Sequence, residues 1–223
     1  MSLDIFLSVG STYNDEQEEF VKTIEKYLES NGLSSKTLGR SVFSSEQPLK
    51  AVEACMKKCA GTIILAFERT CIENGKEKRG SPKEIALNNI NLPTVWNQIE
   101  AAMSYSLGLP LLVLVEHGLK NEGLLEKGYD WYVKEISLDK STLLEPEFVG
   151  VFFDWKKRVE ETKARIENSP EKENAEVVVD DLTIGQIFKS LKPAHLWTIG
   201  VSIVTILTGV AAAAFNLGKM FGK

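Results

Sequence analysis

Histidine and cysteine are scarce, with two and three residues in a chain of 223. Cys55 and Cys59 lie four apart in a helical pattern with no histidine nearby, and Cys71 stands alone. That spacing describes small packing residues in a reducing compartment rather than a zinc site. No glycine-rich phosphate loop and no internal repeat is visible, which leaves aside the nucleotide folds built on such a loop. Positive charge is also short: 26 Lys and Arg stand against 31 Asp and Glu, a net charge of −5. Binding nucleic acid through its phosphates needs a basic surface, so a general nucleic-acid binder is excluded. The opening residues, MSLDIFLSVGS, lack the long apolar run of a secretory leader, because Asp4 and Gly10 interrupt it, and they read as a strand.

What is present is 43% hydrophobic and 26% charged residues, enough for one ordinary α/β domain and an appendage. The appendage is distinct. After Asp181 there is no acid, and from Pro193 to Gly218 there is no charged residue at all. As a helix, residues 196–217 would reach roughly 33 Å at about 1.5 Å per residue, close to a bilayer's hydrocarbon thickness. Trp197 lies near one end, and Lys189, Lys192, Lys219 and Lys223 flank the run, as interfacial anchors do. The expectation is a transmembrane helix over 193–218, single-pass, with the body in the cytoplasm. Gly200, Gly209, Ala211–Ala214 and Gly218 give it a small-residue surface on which helices could associate. Residues 161–192 read as a charged linker ending in a short amphipathic stretch at the membrane surface.

The body, 1–160, alternates strand and helix patterns. Apolar runs at 4–11, 62–68 and 109–116 read as buried parallel strands, with weaker candidates at 35–43 and around YDWYVKEISLD. Helical spacing appears in NDEQEEFVKTIEKYLESNG, in 47–61 behind Pro48, in 93–108 and around 146–165. Residues 69–92 read as a long polar stretch. The alternation implies a flavodoxin-like parallel sheet with helices on both faces, whose ligands bind beyond the carboxyl ends of the strands. Segments 8–13, 40–45, 68–79 and 116–119 fall on that rim.

The helix at 93–108 has the most informative spacing. Trp96 and Glu100 are four apart and share a face, while Ile99, Met103 and Leu107 are expected to point to the core. A carboxylate beside an indole at a strand-end rim is partly desolvated, which raises its pKa and suits it to proton or nucleophile chemistry. Tyr129, Trp131 and Tyr132 form a second aromatic group, read either as base-stacking residues or as half-buried strand residues. His117 ends the third apolar run as a rim residue.

The segments DIFLSVGSTYNDEQEEFVKTIEKYLESNGL, GTIILAFERT and Trp96-Asn97-Gln98-Ile99-Glu100 resemble those of bacterial TIR domains over roughly residues 3–120. The last matches that family's Trp, three residues, then catalytic Glu. IEAAMSYSLGLPLLVLVE also resembles the glutamate-bearing segment of nucleoside 2-deoxyribosyltransferases. Both families set this glutamate at an N-glycosidic bond. The resemblance implies a TIR-like fold and Glu100 as the catalytic residue of an NAD glycohydrolase or cyclase, with NAD as substrate and no cofactor or metal. Trp96 would stack on the substrate, Ser8, Gly10 and Ser11 would line the cleft, and Arg40 and Phe43 would lie in its closing loop. From charge and position, Arg40 or Arg69 would neutralise phosphate. Two departures stand out: Gly39-Arg40-Ser41 replaces an acidic loop residue, and the basic run Lys76, Lys78, Arg79 sits in a longer loop, read either as reaching a pyrophosphate or a cyclic nucleotide or as a solvated loop. The expected function is a membrane-anchored, oligomeric effector in antiphage defence. The alternative is a non-catalytic nucleotide sensor whose clustering perturbs the bilayer.

Overall fold

A computed structural model describes residues 2–168. The expected membrane helix (193–218), and the linker beyond Asn168, lie outside the described residues. Among the described residues no helix is long and apolar enough to cross a membrane.

Five parallel strands form one sheet. In chain order they are β1 (Leu3–Val9), β2 (Leu33–Lys36), β3 (Thr62–Ala66), β6 (Leu111–Glu116) and β7 (Tyr132–Ile136), and in space they run β2-β1-β3-β6-β7. Between β3 and β6 the chain inserts an antiparallel hairpin, β4 (Thr70–Glu77) and β5 (Ile85–Leu92). Setting the hairpin aside, the order is that of doubly wound flavodoxin-like sheets, with the chain reversing direction between β1 and β3. The expected parallel α/β sheet is therefore present.

Burial explains the layering. β3 is buried at every residue and β6 at all but its last, so both faces must be covered. Ile5, Leu7, Ile63, Leu65, Leu112 and Leu114 turn to one face. There they meet Phe20, Val21, Ile24 and Leu28 of α1 (Asp15–Ser30), and Phe148, Phe152, Trp155 and Val159 of α4 (Pro146–Asn168). Each such side chain contributes about 1.5–3 kcal/mol when fully buried. Gly61 lets α4 approach: a Cβ there would sit 2.5 Å from Val159 Cγ2. The wholly buried Trp155 donates its indole N–H to the Pro110 carbonyl at 3.0 Å. Phe6, Ile64, Ala66, Val113 and Val115 turn to the other face, covered by α2 (Pro48–Met56) and α3 (Val95–Ser106). Cys55 and Cys59 are free thiols buried in that layer, beside Phe6, Val52 and Met56.

Three local readings change. The strand expected at 35–43 is β2, ending at Lys36. Beyond it, Thr37 O accepts from the N–H groups of Arg40, Ser41 and Val42, and Gly39 takes φ +79°, so the chain turns. The polar stretch 69–92 is the β4–β5 hairpin. The α3 face on the sheet is Asn97, Ala101 and Ser104, not Ile99, Met103 and Leu107. Small side chains let α3 lie close to β1 and β3, while Met103 and Leu107 are only partly buried, against the α2 layer.

Candidate active site

α3 starts at the carboxyl end of the sheet, next to the β1–β3 reversal. Asn14 and Thr94 cap α1 and α3 respectively, each accepting a backbone N–H with its side chain. The loop after β1 runs against the α3 cap, where a Cβ on Gly10 would lie 3.1 Å from Thr94 Cγ2. Gly10 is thus a close-approach glycine, and it lies outside the lining of the cavity beside α3.

From this cap α3 directs Trp96 and Glu100 into a cavity of about 320 Å³. The rest of the lining comes from the 38–48 segment and α2, including Val42, Phe43, Glu46 and Val52. The volume falls at the lower end of small-molecule sites. Glu100 is half-buried, while Trp96 and Phe43 are 41% and 79% exposed. Burial pushes the Glu100 carboxyl up to about 7, against a smaller downward pull from its hydrogen bond with the Ser8 hydroxyl. Ser8 is buried near the end of β1, and its Oγ accepts from Asn97 Nδ2 at 3.1 Å. Such a carboxyl can serve near neutral pH as a base, a nucleophile or a stabiliser of adjacent positive charge.

Of the residues singled out in the sequence, Glu100, Trp96 and Phe43 line this cavity, and Ser8 supports it from behind. Ser11 and Arg69 are exposed and outside the lining. Arg40, expected as a phosphate ligand, is ion-paired and lies outside the lining. Its Nη1 and Nη2 each donate at 2.9 Å to a different oxygen of Glu18, and its Nε lies 3.6 Å from Glu25. Two carboxylates on α1 already take the charge. Two residues of the basic run are likewise paired, Lys76 with Glu84 and Lys78 with Glu77, both carboxylates in the hairpin or its connecting turn. The aromatic group lies elsewhere. Trp131, immediately before the amino end of β7, stacks on Tyr129 at 4.7 Å and meets Tyr105 edge-on at 5.3 Å. His117 is exposed, just past the carboxyl end of β6.

Two participants were not foreseen. Asn97 is buried with both partners of its amide in the sheet. Gln98 anchors the loop after β6, donating to Glu122 O at 2.7 Å and accepting from Leu124 N–H at 2.9 Å. The available signal was Asn97, Ala101 and Ser104 recurring at helical spacing, a small-residue face suited to close packing.

No family model and no curated protein matches the chain. Among solved structures, one described as the CMP N-glycosidase BcmB of Clostridium botulinum aligns over 67% of this chain and 98% of that one. The identity is 15% and the TM-score 0.42. A likeness at that level speaks to neither substrate nor reaction.

Proposed function

We propose that this domain cleaves the N-glycosidic bond of a nucleotide carrying a positively charged base, with NAD as the substrate and Glu100 as the working carboxylate. The observation that carries the reading is Glu100 itself, desolvated in the lining of a cavity that it shares with Trp96 and Phe43. The lining contains two carboxylates, Glu100 and Glu46, and neither lysine nor arginine, so it attracts positive charge. A pyridinium ring fits between Trp96 and Phe43 on both stacking and charge grounds. The ring also favours the ionised form of Glu100.

The chemistry then needs one carboxylate. The bond from C1′ to the ring nitrogen breaks, and its electron pair stays with the nitrogen, so nicotinamide leaves neutral without a proton donor. Positive charge develops at C1′, where a carboxylate in low dielectric stabilises it far more than one in water. Water then adds to C1′ and releases a proton, giving ADP-ribose, or an internal nucleophile takes its place and gives a cyclic product. With no cation in the lining, the pyrophosphate is best accommodated outside the cavity.

The test is nicotinamide release from NAD by the purified chain, compared with Glu100→Gln. Release by the parent and loss in the variant supports the reading; equal release by both ends it. The wider part of the proposal is an oligomeric effector held at a membrane in antiphage defence. It rests on the family resemblance and the composition of 193–218, and detergent-dependent extraction of the full chain tests the anchor.

A further inference from the structure

Asn97 is 1% exposed and lies outside the lining of the Glu100 cavity. Its Nδ2 donates twice, to Ser8 Oγ at 3.1 Å and to the Leu65 carbonyl at 3.2 Å, while its Oδ1 is buried without a partner. Turning the amide over would pair Oδ1 with Ser8 but press it against the Leu65 oxygen, which can only accept. The carbonyl at the end of β3 therefore fixes which way the amide faces. An orphan buried acceptor is costly, so the arrangement stands at some expense to stability.

A proton inventory follows. A serine hydroxyl has one hydrogen. With Asn97 donating to its oxygen, Ser8 has its own hydrogen left to give, and the Glu100 carboxyl is the acceptor it meets. We infer that Asn97 is a positioning residue: held by Leu65, its amide occupies the acceptor side of the Ser8 hydroxyl and so directs that hydroxyl's proton at the Glu100 carboxylate. The inference rests on the reading of Glu100 as the working carboxylate. The other titratable group in the cavity lining is Glu46, on the loop before α2; the remaining lining residues are uncharged.

The experiment follows Glu100 itself. The carboxyl carbons of the full chain are labelled at glutamate and titrated by NMR, with the Glu100 signal assigned by its loss in Glu100→Gln. The parent midpoint is expected near 7. Asn97→Leu removes the donor and frees the Ser8 hydroxyl to turn away, raising the midpoint by about half to one pH unit. Ser8→Ala raises it equally, and the double variant goes no further, because both act through one hydrogen. Should Asn97→Leu not fold, Asn97→Asp keeps the shape; its ionised oxygens can only accept, drawing the Ser8 proton away and adding a like charge. It moves the midpoint at least as far. A midpoint unmoved in the Asn97 variants, or two single shifts that add, overturns the inference. Nicotinamide release assayed in parallel separates the claims. Shifts as described in a chain that releases none support the positioning role and count against the NAD reading. Release with an unmoved midpoint does the reverse.

Discussion

Arg40 grips Glu18 with both terminal nitrogens, each 2.9 Å from its own carboxylate oxygen, and so ties the turn after β2 to the first turns of α1. The Arg40 bond, with help from Thr12, pulls the Glu18 carboxyl down to about 2. A carboxyl whose folded pKa lies below its unfolded value stabilises the fold above about pH 4.5 and loses that contribution as pH falls toward 2. Arg40→Ala is expected to cost about 1–2 kcal/mol at pH 7, after allowing for partial exposure, and almost nothing at pH 2. Because both termini are engaged, the KM for a phosphate-bearing substrate should change less than twofold. Denaturant unfolding at the two pH values and steady-state kinetics check this.

Glu100 has the opposite sign. Its folded pKa is raised, so the neutral form is favoured in the fold, and stability falls as pH rises from about 4.5 to about 7. Glu100→Gln removes the buried charge. The variant should match the parent near pH 4 and exceed it by about 1–3 kcal/mol at pH 8, while losing nicotinamide release. Thermal unfolding at both pH values measures the difference. A variant no more stable at pH 8 would show that Glu100 is not desolvated.

Turnover should follow the same group. The ionised carboxylate is the form required at C1′, so kcat/KM for NAD rises with pH and levels off above about 7. A rise centred near 4.5 would place the working group in water.

Phe43 is 79% exposed and contributes little to stability, whereas Trp96, at 41%, buries more than half of its side chain. Phe43→Ala is expected to leave the unfolding midpoint nearly unchanged, and Trp96→Ala to lower it. Each should lower kcat/KM by about ten- to thirtyfold, the worth of one aromatic contact of about 1.5–2 kcal/mol. Kinetics on both single variants against Leu144→Ala, exposed and remote from the cavity, gives the comparison.

Much of this arrangement could be read from residue order, for identifiable reasons. β3 and β6, and the centre of β1, are buried on both faces, so they appear as short apolar runs, and α1 carries its cap and acids in the first turn. The hairpin left no such trace: β4 and β5 are mostly exposed on both faces, so no alternation of polar and apolar residues marked them. The partners of Arg40 were hidden because an ion pair between a loop and α1 has no local signature. Asn97 escaped because a polar side chain on a helix normally faces water; only the close approach of α3 to β1 and β3 inverts that expectation.

The hairpin closes on itself at its base, where Arg69 N–H donates to Leu92 O at 2.9 Å, just before the Thr94 cap. Strand β3 and helix α3 are thereby joined by a short stem, whatever the arm beyond it contains. The turn around Gly80, beyond the Lys120 contacts with Asn91 and Glu77, is accordingly a handle: an epitope or fluorophore grafted there is expected to leave α3 in place.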